Sequence, residues 1–459
     1  MLSENLIPLT KKRGNLIPIY ILESEDELPT SIKKTEITYL RAIGFFSLKA
    51  DTAFLSDEKG NISCIFIRPK FNDVRFSIGE RIARLPDGDY EIKTKLSKGN
   101  AFETILGFCL SAYRFQNYKK ERTGFGVRIY VPRTLDYKKV CTFVWSEYFT
   151  RNLINTPASD LAPENLEKVV ESFSKEREGK FSTILGEELL TKNFPLIHSV
   201  GRAGSESPRL VRFTWGNPES FKVTLVGKGV CFDTGGLNIK PDSAMSIMKK
   251  DMGGAASVLG LANCIIGLRL KVYLTVIIPI VENSISSKSF RPGDILVSRK
   301  GLSVEVNNTD AEGRLILADA LAFADESSPD ILISLATLTG AARIGLGPDI
   351  VPFYTSNERF SKLLEEGSLI NLDPVWRLPL HREYEHLIEP EMADLDNAPK
   401  TGMAGSITAA LFLNRFVEKS GIFAHFDIYS WCANARPGRQ LGGIMQAVRA
   451  ICYALEKRI

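Results

Sequence analysis

From residue 223 onward the chain alternates short apolar runs with segments of helical periodicity, and this alternation restricts the fold more than any other feature. Residues 223–226, 272–278, 331–336 and 423–429 are apolar runs of buried-strand length, and helical patterns occupy 255–268, 314–324, 407–417 and 444–455. Strands covered on both faces lose the polar alternation of a half-exposed sheet, and an intervening helix is the connection that parallel pairing requires. The pattern predicts an α/β domain with a mixed, mainly parallel sheet covered by helices.

The first 134 residues differ. Apolar runs at 17–22, 64–67 and 127–131, with one helix-like segment at 101–118, read as a smaller α/β domain. No group of acids, histidines and glycines there suggests chemistry, so its expected role is structural. A helical pattern over 135–155 ends at the breaker-rich Asn155-Thr156-Pro157-Ala158-Ser159-Asp160. The expected division is therefore 1–145 for an amino-terminal domain and 146–459 for a catalytic one.

Composition limits the partners. Among 459 residues, 58 lysines and arginines stand against 54 acids, a net charge of +4 too small to imply a polyanionic partner, so nucleic acid is not expected. The seven cysteines are scattered and contain no Cys-x-x-Cys pair, which indicates neither a disulfide framework nor a cysteine zinc site and fits a cytoplasmic setting. Glu4 and the Lys11-Lys12-Arg13 cluster interrupt any secretory apolar core. The longest apolar stretch, 272–281, is far short of the roughly 20 residues that cross a bilayer, so no membrane partner is expected.

Chemistry is concentrated near the ends of the later strands, where α/β sheets place ligands. Gly227-Lys228-Gly229 leads to Asp233-Thr234-Gly235-Gly236, which by itself reads equally well as a surface hairpin. As a phosphate loop it lacks both the Walker spacing and the third glycine of a dinucleotide fingerprint. Asp251 precedes the small-residue helix start Gly253-Gly254-Ala255-Ala256 and has the bland alternative of a helix cap. Thr309-x-x-Glu312 likewise has the form of a capping box, with Arg314 a first-turn charge. The joint pattern favours function: three aspartates, a glutamate, two lysines and an arginine, each beside a glycine or a helix start. Hard carboxylates suit divalent ions, and several in one cleft can hold two.

These residues resemble the leucyl (cytosol) aminopeptidase family. Its signature Asn-Thr-Asp-Ala-Glu-Gly-Arg is complete at Asn308 to Arg314, and the Lys228 to Gly236 segment, Lys240, Asp251 to Ala256 and Leu335 to Ala341 follow in family order. The resemblance covers about residues 151–449. It implies a metal-dependent aminopeptidase acting on peptides with a free amino terminus, with two divalent ions per subunit, zinc or manganese, with magnesium or cobalt as further candidates. Asp233 and Glu312 would bridge the ions, Asp310 would complete the more exchangeable site, and Lys228 and Asp251 the tighter one. Lys240 would stabilise the oxyanion and Arg314 would anchor a bicarbonate general base.

The resemblance further implies that Met248, Thr337 and Gly340 shape the pocket for the substrate's first side chain, and that the chain assembles as a homohexamer. A histidine base is then unnecessary, and His198, His381, His386 and His425 are expected to be structural. After His425-Phe426-Asp427-Ile428 the chain departs from the family's small, glycine-rich continuation with Tyr429-Ser430-Trp431-Cys432 and, further on, Arg436 and Arg439. That departure puts leucine preference in doubt. Because some relatives bind DNA, a DNA-binding or regulatory role is the competing class, with a basic stripe as its electrostatic requirement.

Overall fold

A computed structural model describes residues 7–11, 14–69, 75–120, 124–399 and 401–459, so Glu4, Lys12 and Arg13 of the amino-terminal reading lie outside it. The chain forms two compact units, one of residues 1–148 with 433–441, the other of 149–432 with 442–459. The division falls inside the helix Tyr137–Asn155, and a short late segment returns to the first unit, which a contiguous reading of the sequence does not anticipate.

The first unit is an α/β domain around a six-stranded sheet, parallel except where Thr52–Ser56 runs antiparallel to Ile62–Ile67. Its helix Lys98–Ala112 stops earlier than the predicted 118 because Tyr113 turns extended. Tyr113 and Phe115 still pack on the core, so the apolar periodicity persists past the helix end.

The second unit carries a mixed nine-stranded sheet. Its centre is parallel: Ile422–Asp427, Ile331–Ala336, Phe221–Gly227 and Val272–Asn283 lie side by side. Antiparallel strands flank both sides, Arg209–Trp215 beside Val272–Asn283 and Val351–Tyr354 beside Ile422–Asp427. Neighbouring residues of a strand point to opposite faces. Val226 joins the core built on the helix Glu312–Asp325, and Gly227 meets Ala255 and Val258 of the helix Gly253–Gly267. The central strands are thus covered on both faces, and the two helices that begin beside the signature residues start at the same end of the sheet. The helix predicted over 444–455 instead spans Val448–Arg458, because Asp373 from a distant turn accepts the amides of Ala447, Arg449 and Ala450 and sets its start.

Candidate active site

One residue, Lys228, separates the strands Phe221–Gly227 and Gly229–Asp233. Both strands pair in parallel with Val272–Asn283, so this is an interruption within one line of chain and the surface hairpin is excluded. The Lys228 N–H donates to the Leu335 carbonyl at 3.1 Å, and its own carbonyl accepts from Ala255 N at 2.8 Å. Its side chain turns inward, with Nζ 2.8 Å from both Asp251 Oδ2 and Glu312 Oε1 and a bond of 3.2 Å to the Thr337 carbonyl. A Cβ on residue 313 would lie 2.5 Å from Lys228 Cε, so only glycine leaves room for the lysine there. A lysine enclosed by carboxylates is unavailable to a phosphate, which removes the nucleotide reading.

Asp233 ends its strand and is fixed from two sides, Oδ1 accepting from Gly235 N and from Asn283 Nδ2, both at 2.8 Å. The turn that follows uses Gly235 at φ +87° and closes with Lys240 N on the Thr234 carbonyl at 2.9 Å. Lys240 Nζ thereby reaches Asp233 Oδ2 at 2.8 Å and pairs with Asp310. Thr309 does not form a capping box: its hydroxyl donates to the Gly235 carbonyl at 2.6 Å and accepts from Asn238 N at 2.8 Å, and Ala311 is the residue before the helix. The signature loop is thus tied to the glycine turn. Asp251 caps nothing either, since it sits inside the 3-10 turn Met248–Met252 and its Oδ1 accepts from the Thr337 hydroxyl at 2.8 Å.

Asp233, Asp310 and Glu312 each offer an oxygen within 4.8 Å of the others. Burial and the neighbouring Asp233 push the carboxyls of Asp310 and Glu312 above the usual range. Burial also works against charge on Asp251, but Lys228 beside it holds that carboxyl low. Burial disfavours the Lys228 ammonium, yet Asp251, Glu312 and Asp233 outweigh it and hold the amine well above the usual lysine range. Glu312 Oε2 is buried without a hydrogen-bond donor among the described residues. Converging, desolvated acids with an oxygen left unpartnered fit a divalent cation, whose charge reverses these penalties.

Arg314 lies two residues further on, in the first turn of the same helix, buried, with Nε and Nη1 lacking partners among the described residues. Burial lowers its guanidinium to about 10, against the pull of Asp427 and Glu312. Nearby, Asp427 accepts from the Leu338 and Thr339 amides and from the hydroxyls of Thr339 and Ser406.

The cytosol aminopeptidase family's catalytic domain matches residues 148–452, and the M17 aminopeptidase amino-terminal domain matches residues 17–132. The chain belongs to this family. A cytosol aminopeptidase from Encephalitozoon cuniculi is 36% identical over 332 residues, 72% of this chain and 68% of that one. The crystal structure of a cytosol aminopeptidase from Coxiella burnetii superposes with a TM-score of 0.93 at 40% identity, covering 98% of this chain and 99% of the other. The bottromycin maturation enzyme BotP, solved in complex with Mn, has a TM-score of 0.85 at 24% identity over 96% of this chain and 99% of its own, a likeness of fold.

This aminopeptidase is accordingly a metal-dependent exopeptidase of the leucyl aminopeptidase type. Of the predicted pocket residues, Thr337 is joined directly to Asp251, Met248 is buried in the same 3-10 turn as Asp251, and Gly340 is exposed at the start of the following helix. His425 bonds Ser334 Oγ through Nδ1 at 2.8 Å, and its Nε2 is buried without a hydrogen-bond partner among the described residues. Sequence reasoning missed Asn283 and Asn397. Asn283 is fully buried between Asp233 and Thr309; Asn397 accepts from Asn307 N and Asn308 N and donates to the Asn308 carbonyl, holding the signature loop. An asparagine at a strand end carries no local signal for either task. None of the described helices is long and apolar enough to cross a membrane.

Proposed function

We propose that the enzyme removes the first residue of peptides at a two-ion centre in which Asp233 and Glu312 serve both ions, Asp310 completes the more exchangeable position, and Lys228 and Asp251 the tighter one. The observation that carries this reading is the convergence of Asp233, Asp310 and Glu312, with Lys228 linking Glu312 to Asp251. Oxygen donors accept zinc, manganese, magnesium or cobalt, with availability deciding. Lys228 can donate its nitrogen only as the free amine, a form that a neighbouring dication favours. When bound, such ions lower the pKa of water and polarise a carbonyl.

Lys240 then supplies a positively charged donor for the oxygen that becomes negative as the carbonyl carbon turns tetrahedral. Its burial beside Asp233 and Asp310, which hold it protonated above the usual lysine range, supports that role. Arg314 is the seat for a bicarbonate ion, whose contribution is general base chemistry. The buried guanidinium with two unpartnered nitrogens supports an anion there. Met248, Thr337 and Gly340 border the space for the substrate's first side chain. On the family's pattern we further propose a homohexamer, and a cytoplasmic location in keeping with the relatives' names.

The test is hydrolysis of a panel of aminoacyl amides by protein loaded with manganese or zinc. Activity on at least one, lost in Glu312→Ala, is expected. Wild-type inactivity across the panel, or activity that Glu312→Ala retains, sinks the reading. Salt-sensitive retention on DNA at physiological ionic strength would instead support the binding class.

A further inference from the structure

Two cations beside the expected substrate pocket, Lys250 and Arg343, form no ion pair among the described residues. Lys250 is 3% exposed, and among the described residues its ammonium forms no ion pair and no hydrogen bond. It stands 5.3 Å from the centre of the Tyr429 ring, and burial works against its charge more strongly than the adjoining Asp251 favours it. Arg343 stands 4.3 Å from the centre of the same ring and spends a single bond, 3.3 Å, on the Thr339 carbonyl. Its Nη2 lies 3.6 Å from where a Cβ on Gly340 would be. The neighbouring Lys249, by contrast, is held by the Asn155 carbonyl at 2.7 Å.

Position ties these groups to the site. Lys250 adjoins Asp251 in the turn that begins at Met248. Ser430, next to Tyr429, abuts Gly253 on the face that Thr337 also reaches. The Tyr429 ring thus has an ammonium and a guanidinium against it, one from the turn that carries Met248 and the other from the helix that Gly340 begins, and its π-electrons attract both. A buried ammonium that makes no ion pair or hydrogen bond is stabilised when an anion arrives to pair with it. A guanidinium with most of its donors free matches a carboxylate in geometry as well as charge.

We propose that the pocket for the first side chain recognises a carboxylate, so that peptides beginning with glutamate or aspartate are preferred and those beginning with lysine or arginine are rejected, with Lys250 and Arg343 as the recognising groups. The inference rests on the aminopeptidase reading and names its substrate class. Attraction and rejection both contribute to such selectivity, because a cationic side chain would meet two like charges.

The experiment compares kcat/KM of the metal-loaded enzyme on glutamyl and glutaminyl amides, a pair alike in shape and different in charge, with leucyl and lysyl amides alongside. The expected glutamyl-to-glutaminyl ratio is about 10- to 100-fold, the scale of a charge-assisted bond made or missed. Lys250→Met and Arg343→Met should each bring the ratio toward unity, whatever they do to turnover in general. Arg343→Met keeps the test decisive if the buried Lys250→Met does not fold. A wild-type ratio of one or less, or a ratio unmoved in Arg343→Met, overturns the proposal. If no amide is cleaved, the peptidase reading fails separately, and calorimetry of L-glutamate against L-glutamine decides the pocket: preferential glutamate binding lost in Arg343→Met upholds it, and equal binding overturns it.

Discussion

Asn283 donates its side-chain amide to Asp233 Oδ1 at 2.8 Å and to the Thr309 carbonyl at 3.1 Å, so one buried residue orients a carboxylate and braces the signature loop. Groups that orient a metal-binding residue from behind typically change affinity 10- to 100-fold when lost, roughly the range expected for Asn283→Ala. Titration of the metal-free variant with manganese by calorimetry checks this. Affinity equal to that of the wild type would remove Asn283 from the positioning of Asp233.

Gly313→Ala tests the room left for Lys228. The added Cβ would lie 2.6 Å from Lys228 Nζ and 2.9 Å from Cδ, so the lysine must shift. A displacement on the order of 1 Å in such a group costs about 100-fold in rate. The expected result is a variant that folds and loses activity on that scale, and near wild-type kcat/KM would refute the role given to the close approach.

Removing metal should destabilise the second unit. Ions that bind only the folded state add stability that grows with their concentration over Kd, about 4 kcal/mol at a thousandfold excess. Chelation is expected to lower the unfolding temperature of the wild type and to change that of Glu312→Ala much less. Identical shifts in the two proteins would contradict a centre built on Glu312.

A pH effect on stability should come from His425. Burial is the main cause that brings its imidazole down to about 4, against a weaker opposing pull from Asp427. An unfolded chain takes up the same proton near 6.5. Between those values the unfolded state binds more protons, so the contribution of neutral His425 is complete above about 6.5 and is lost as pH falls toward 4, up to about 3 kcal/mol. Wild-type stability should therefore decline more steeply over that interval than that of His425→Gln. Parallel profiles would show that His425 does not titrate in this way.

Asp373→Ala tests a cap supplied from outside the helix. Its carboxylate accepts three amides at the start of Val448–Arg458, at 3.1, 2.8 and 3.2 Å. Loss of a cap costs about 1–2 kcal/mol. Hydrogen exchange at residues 447–450 should quicken accordingly, and unchanged protection there would count against the assignment.

Several features were legible because they are local or repetitive. Continuous apolar runs are what strands covered on both faces require, and residues 331–336 and 272–278 fall within observed central strands for that reason. The signature from Asn308 to Arg314 identifies the family by its spelling alone. Local chemistry misleads where a residue has a distant partner. Thr309 with Glu312, and Asp251 before its glycines, have the form of helix caps, yet Thr309 bonds Gly235 and Asn238 while Asp251 faces Lys228 and Thr337.

The sequence by itself determined the class of fold, the order of its elements and the family, since periodicity and a contiguous motif need no knowledge of the third dimension. Tertiary structure decided which charges meet. Lys228 and Glu312 are 84 positions apart, yet a break between two strand segments and a helix start bring them to 2.8 Å. Lys250 and Arg343 both stand against the ring of Tyr429 although nothing in their spacing links them. Electrostatic energy depends on distance and burial, and both are set only when the sheet and its covering helices are assembled.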